Sequence, residues 1–268
     1  MKALIVGGSS GIGKAMATEV LKEHGAVVIA ARRADVLAAA SKDLMKDAGN
    51  DPSRVRSTVL DVSDAASVTR GVGEAWAALG GLDLVVVSSG MVYPRPFLET
   101  SSDIFAQTIA TNLIGVANVA RSVLPKLLDQ KKGHLCLINS LAGVMGLYGY
   151  TSYSASKYGV VGFAECLRQE LIGTGVSLSV VFPGDTDTPM LEAENKLKTA
   201  QTRAAAGSVK VLSPEAVAQA AMKGIASGKF QIVPGGDAKF AHWMAAHMPG
   251  TLRRVLDSAV KKVNAQAR

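Results

Sequence analysis

The 268 residues are 48% hydrophobic and 19% charged, too apolar for disorder and enough for one large core, yet no apolar run approaches the roughly 18 residues that cross a membrane. The apolar start breaks at Gly7-Gly8, too soon for a secretory signal, so the compartment reads as cytoplasmic. The net charge of +7 is lopsided: residues 1–189 carry 17 Lys+Arg against 17 Asp+Glu, whereas residues 190–268 carry 12 against 5. Such asymmetry marks either a side that meets an anionic partner or a solvated basic face.

In chain order, residues 3–6 read as a strand and 11–24 as a helix, then strand 26–31, helix 34–47, strand 55–61 and helix 64–79. Strand 82–87, helix 102–129, strand 134–139, helix 152–174, strand 176–182, helix 214–227 and strand 230–233 follow. The strands are near-continuous in Val, Ile and Leu, as strands covered on both faces are, and strict strand–helix alternation implies a parallel sheet with right-handed crossovers. The expected fold is therefore α/β: a Rossmann-type, doubly wound, seven-stranded parallel sheet. Residues 1–234 form its sheet-bearing part, and residues 235–268 a helical extension of the same domain. Two stretches escape the alternation, the connection 184–212 and the segment after residue 234. Long connections at the carboxyl edge of such a sheet shape ligand sites. Cys136 and Cys166 make neither a disulfide framework nor a metal site and read as small buried side chains.

Gly7-Gly8-Ser9-Ser10-Gly11-Ile12-Gly13 joins the first strand to the first helix. Glycines at 7, 11 and 13 let the backbone turn tightly and approach a pyrophosphate, which then faces a helix N-terminus. Proteins of this kind that prefer NAD place an acid at the end of the second strand for the ribose 2′-hydroxyl. Here the chain reads Ala30-Ala31-Arg32-Arg33, and a guanidinium suits a 2′-phosphate. Arg32 therefore points to NADPH (NADP+), with Lys14 placed to add charge and Arg33 read as solvated. Asp61, at the end of the third strand, is either an acceptor for the adenine amino group or a helix cap.

Tyr153 and Lys157 stand four residues apart on one helix face. A fixed cation beside a phenol favours the phenolate and brings the group toward a workable acid–base range. Tyr148, Tyr150 and Tyr158 lack such a partner and read as wall or packing residues. Ser140, at the end of the fifth strand, can hydrogen-bond a carbonyl or alkoxide. Asn112 sits mid-helix, where propensity gives no reason for Asn, and is a candidate to hold a water linking Lys157 to solvent.

With Gly7-xxx-Gly11-x-Gly13, Asn112, Ser140, Tyr153-xxx-Lys157 and Pro183-Gly184-Asp185-Thr186-Asp187-Thr188, residues 1–234 resemble the short-chain dehydrogenases/reductases. The resemblance implies that Tyr153 is the proton donor in reduction, Lys157 also holds the nicotinamide ribose, Ser140 orients the carbonyl and Asn112 completes the relay. It also implies cofactor contacts from Gly7, Ser9, Ser10, Gly11, Ile12, Gly13, Arg32, Asp61, Val62 and Gly90, and from Tyr153, Lys157, Pro183, Gly184, Thr186 and Thr188. Val6 and Ser88-Ser89 depart from the family pattern at the sheet edge, outside the chemistry. Within the family, Asp185-Thr186-Asp187-Thr188-Pro189 followed by Glu194-Asn195 is similar to the 3-ketodihydrosphingosine reductases, whose eukaryotic members carry membrane-spanning segments.

These features imply an NADPH-dependent reductase of a lipid-like ketone, 3-ketosphinganine, working as a homodimer or homotetramer. The alternatives are a 3-ketoacyl thioester reductase, another short-chain alcohol dehydrogenase, or a cofactor-sensing scaffold without turnover. For an interface between copies, Phe163, Ala164 and Leu167 are the apolar positions that one monomer leaves uncovered. In 251–263, Leu252, Val255, Leu256, Ala259, Val260 and Val263 form one helical stripe, with Arg253, Arg254, Lys261 and Lys262 on the other side. Phe240, Trp243, Met244 and Met248 form a second stripe upstream. Either these helices pack on the domain, or they form a lid over an acyl chain whose basic side makes peripheral contact with an anionic membrane. His242 and His247 share no helix face well and are poor ligands. A basic motif with interleaved aromatics is absent, so no nucleic-acid partner is expected, and no metal.

Overall fold

The computed structural model describes residues 1–207 and 210–266. Seven parallel strands, β1 (Lys2–Val6), β2 (Ala26–Ala31), β3 (Val55–Val59), β4 (Leu84–Val87), β5 (Gly133–Ile138), β6 (Val176–Val181) and β7 (Gln231–Ile232), lie in the order β3-β2-β1-β4-β5-β6-β7. The doubly wound sheet expected from the alternation is borne out. The edges of the elements differ more: β3, β4 and β7 are shorter than their expected runs; run 82–87, for one, begins two residues before its first ladder partner, Leu84.

Successive strand residues point to opposite faces, so each strand feeds two cores. Leu4, Val6, Val28, Val85, Leu135 and Val180 pack on α3 (Ala65–Leu79), α5 (Gly115–Gln130) and α6 (Thr151–Glu170). Ala3, Ile5, Val27, Ile29, Val86 and Cys136 pack on α1 (Gly11–Lys22), α2 (Ala34–Asp47) and α9 (Pro214–Ala226). The strand order reverses between β1 and β4, the point at which ligands enter such sheets.

The expected helix 102–129 is one rod in three parts: α4 (Ser102–Ile109), a π-helical turn (Ala110–Ile114) and α5. The Gly115 N–H reaches back five residues to the Ala110 carbonyl, and Asn112 sits in that turn. The connection 184–212 is not loop but α7 (Pro189–Leu197) and α8 (Ala200–Ala206), started by Thr188 and Thr199 caps. Leu212 pins its ends, donating to the Asp185 carbonyl at 3.0 Å and accepting from the Asp187 N–H at 2.9 Å.

After β7 come α10 (Gly236–His247) and α11 (Pro249–Gln266). Ala238, Ala241 and Leu252 join the core beneath α5 and α6, so this extension shares the core of the sheet. No helix among the described residues is long and apolar enough to cross a membrane. Cys136 is buried as expected, but Cys166 is exposed, because its position on α6 faces away from the sheet.

Candidate active site

The carboxyl ends of β1, β2, β4, β5 and β6 open into one cleft of about 520 Å³, within the usual range for small-molecule sites. Its floor is the glycine turn. A side chain on Gly7, whose φ is +84°, would lie 2.5 Å from the Ser89 nitrogen; one on Gly13 would overlap the Gly7 carbonyl oxygen; one on Gly11 would press on Thr188. Ser10 caps α1 without a side-chain hydrogen bond, so the first-turn N–H groups remain directed at the cleft. This cradle fits a dinucleotide pyrophosphate.

Gly7, Ser9, Ser10, Gly11, Ile12 and Arg32 all line the cleft, as do Val62, Gly90, Pro183, Gly184, Thr186 and Thr188. Gly13 lies beneath it, holding α1 close to the turn. Arg33, expected to be merely solvated, also lines it. Lys14 does not reach across, because its ammonium pairs with Asp43 at 2.7 Å. Asp61 does not line the cleft: its Oδ1 accepts from the Ser63 N–H at 2.9 Å and hydroxyl at 2.7 Å. Partial burial opposes ionisation there, but the Ser63 bonds and the Arg32 charge prevail and hold the carboxyl below the usual range. The helix cap is Asp64, not Asp61.

Tyr153, Lys157 and Ser140 meet at the centre of the cleft. Ser140 caps a short 3-10 turn, its Oγ accepting from the Ala142 N–H at 3.1 Å, and it hydrogen-bonds Tyr153. The Lys157 ammonium lies 5.7 Å from the Tyr153 ring centroid and donates to the Ile138 carbonyl at 3.0 Å. Burial pulls Lys157 down to about 8. Burial also pushes the Tyr153 phenol up; the Ser140 bond works against the rise, and the carboxylates of Glu194 and Asp185 add to it. The spacing suggested a tyrosine lowered by its lysine; in the protein without cofactor, burial instead holds the phenol above its ordinary range.

Asn112 is fully buried and does not line the cleft. Its Oδ1 accepts from the Met91 N–H at 2.8 Å, and its Nδ2 donates to the Met91 carbonyl at 2.9 Å and to Ser156 Oγ at 3.0 Å. It ties the loop after β4 to α6. Asn139, unremarked in the sequence, does similar work by donating to the Lys157 carbonyl at 3.1 Å. Of the other tyrosines, Tyr148 and Tyr158 are surface residues rather than wall. Tyr150 is buried in the wall and donates to Glu194.

The outer part of the cleft is apolar. Met190 and Leu191 of α7, Ala204 and Ala205 of α8, and Leu252, Leu256 and Ala259 of α11 line it. His242 packs edge-on against Phe182 at 4.9 Å and His247 stacks on Trp243 at 5.2 Å, so neither turns toward the site.

The model of the short chain dehydrogenase family matches residues 1–199, which include the turn, Ser140, Tyr153 and Lys157. The chain belongs to that family. Its curated relatives include a 3-ketodihydrosphingosine reductase of Bos taurus, 34% identical over 235 residues, covering 87% of this chain and 71% of the relative. Among solved structures, a short-chain dehydrogenase/reductase from Burkholderia phymatum in complex with NAD superposes with a TM-score of 0.78 at 26% identity, covering 94% of this chain and 91% of that one. Actinorhodin polyketide ketoreductase with NADPH superposes with a TM-score of 0.76 at 26% identity, covering 87% and 94%. The protein is an oxidoreductase on a Rossmann-type sheet.

Proposed function

We propose that this oxidoreductase uses NADPH to reduce 3-ketosphinganine to sphinganine. The observation that carries the reading is the pairing, in one cleft, of a buried Tyr–Ser–Lys centre with an apolar outer wall from α7, α8 and α11 that suits a hydrocarbon chain. The likeness to 3-ketodihydrosphingosine reductases supports the same substrate. The preference for NADPH rests on Arg32 and Arg33, two guanidiniums on the cleft wall at the end of β2 with no acid between them.

The glycine turn would hold a reduced nicotinamide dinucleotide, whose chemistry would be hydride transfer to the carbonyl carbon. Ser140 and Tyr153 hold the carbonyl oxygen. As negative charge gathers on it, the Tyr153 proton moves across and the product is a secondary alcohol. Lys157, fixed by Ile138 and Asn139, stabilises the phenolate left behind and binds the nicotinamide ribose. The side chain of Asn112 is committed to Met91 and Ser156. Its main chain, in the π-helical turn, is the group left to hold a relay water near Lys157.

Purified protein given NADPH should consume it with 3-ketosphinganine faster than with 3-ketoacyl thioesters of equal chain length. The reverse order would make it a thioester reductase, and no consumption with any ketone would leave a cofactor-sensing protein. The protein works as a homo-oligomer in this reading. Of the three positions expected on that face, Ala164 and Leu167 are buried in the monomer's own core and Phe163 alone is left partly uncovered. The exposed side of α5 and α6, with Tyr158 and the neighbouring Ile114, is the surface that pairs. Sedimentation at micromolar concentration should show a dimer or tetramer; monomer alone would refute this.

A further inference from the structure

Glu194, quoted above only as a motif residue, stands on the wall of the catalytic cleft together with Asp185. Tyr150 donates its hydroxyl hydrogen bond to Glu194, and the Tyr150 ring lies 5.9 Å from that of Tyr153. Lys198 binds Glu194 at 2.8 Å and reaches Asp185 at 3.5 Å. The three groups are sheltered unequally: the Lys198 side chain is 4% exposed, Glu194 12% and Asp185 42%.

Two carboxylates thus share one ammonium, which leaves an excess negative charge facing the cavity. Among the described residues these are the only acids on its wall, while the cations there, Arg32, Arg33 and Lys157, come from the end of β2 and from beneath Tyr153. A purely structural pair for the end of α7 would need only one carboxylate. An uncompensated carboxylate beside the proton donor also opposes the negative charge that reduction builds on oxygen. The arrangement becomes favourable when the substrate itself brings a cation to this wall.

We propose that Glu194, seconded by Asp185, receives the protonated amine that an amino ketone carries on the carbon next to its carbonyl, and so selects amino ketones over neutral ones. This rests on the substrate reading above. With the ketone oxygen on Tyr153 and Ser140, Tyr150, its ring 5.9 Å from that of Tyr153, links the reacting centre to Glu194. The ammonium then completes the charge balance of the Asp185–Lys198–Glu194 group and adds a charge-assisted hydrogen bond.

The test compares kcat/KM for 3-ketosphinganine with that for the same long-chain hydroxy ketone lacking the amine, in wild type, Glu194→Gln and Asp185→Asn. Wild type should prefer the amine by roughly 10- to 100-fold, the worth of one hydrogen bond to a charged group. Glu194→Gln should bring the ratio toward unity, with Asp185→Asn intermediate; a ratio within one variant cancels any loss of folded enzyme. A ratio unchanged in both variants means that Glu194 only holds α7 in place, and overturns the proposal while leaving the substrate reading intact. Wild type that reduces the neutral ketone but not 3-ketosphinganine overturns both.

Discussion

Tyr153 carries the proton in the reaction as proposed, and its environment is built to keep that proton until it is needed. Desolvation and two nearby carboxylates raise the phenol, while Ser140 supplies the compensating hydrogen bond. Tyr153→Phe deletes one hydroxyl and keeps the ring that fills the wall. Turnover should fall by about 10²–10⁴, with NADPH affinity measured by fluorescence titration almost unchanged. Activity within a few-fold of wild type would mean that another group donates the proton. Arg32 acts on a different part of the cofactor. Arg32→Ala should raise the Michaelis constant for NADPH and leave the slower NADH reaction alone, since only NADPH carries the 2′-phosphate. Equal effects on both cofactors in steady-state assays would assign Arg32 to packing. Both roles were legible because each residue follows or sits in an unmistakable local pattern, the second strand's end and the Tyr-xxx-Lys spacing. The Glu194–Lys198 pair was not read from the sequence, and its partners Tyr150 and Asp185 arrive from other parts of the chain.

At the scale of elements, β5 brings Ser140 and Lys157 together, and its first residues register against β6 through His134 and Ser177. His134 Nδ1 lies 2.7 Å from Ser177 Oγ while Nε2 is buried without a hydrogen-bond partner, and burial lowers the imidazole to about 4 from an ordinary 6.5. The folded state therefore binds fewer protons than the unfolded chain between those values. Its contribution to stability is complete above the unfolded value and is lost as pH falls from 6.5 toward about 4. Denaturant midpoints measured across that interval should drop in wild type and drop less in His134→Phe; parallel curves would show that other groups govern acid unfolding. The rod from α4 to α5 shows the limit of periodicity at this scale. Its apolar spacing reads as one helix, and it is one, but the π-helical turn at Asn112 depends on hydrogen bonds to Met91 and Ser156 that lie far off in sequence.

Over the whole molecule, the charge imbalance and the C-terminal helices occupy the same region. Leu252, Leu256 and Ala259 on α11 face the cleft, so the apolar stripe of that helix covers the substrate channel. Arg253, Arg254, Lys261 and Lys262 point outward, and near them α10 exposes Phe240 (64%), Trp243 (47%) and, just beyond its end, Met248 (42%). A lipid ketone is delivered from an interface, and exposed aromatics beside basic residues suit peripheral contact with an anionic bilayer. Each basic residue near such a surface adds up to ~1 kcal/mol, decaying over a Debye length of about 8 Å. Replacing the four basic residues with Gln should weaken cosedimentation with phosphatidylserine vesicles and leave turnover of a short, water-soluble ketone nearly unchanged. Absence of vesicle binding by wild type at low salt would reduce α11 to a packed lid. Equal loss on every substrate would make the four residues part of the fold.

The sequence by itself determined the doubly wound sheet, the glycine turn and the identities of Ser140, Tyr153 and Lys157, because each is written in local spacing: apolar strand runs, glycines at a bend, one helical turn between phenol and ammonium. The tertiary structure decided the rest. Whether Lys14 is drawn away by Asp43 and whether Ala164 is surface or core depend on groups far off in the sequence. The same holds for proton affinity. Spacing alone put the lysine beside the tyrosine, but burial, a property of everything packed around them, raises the proton affinity of Tyr153 and lowers that of Lys157.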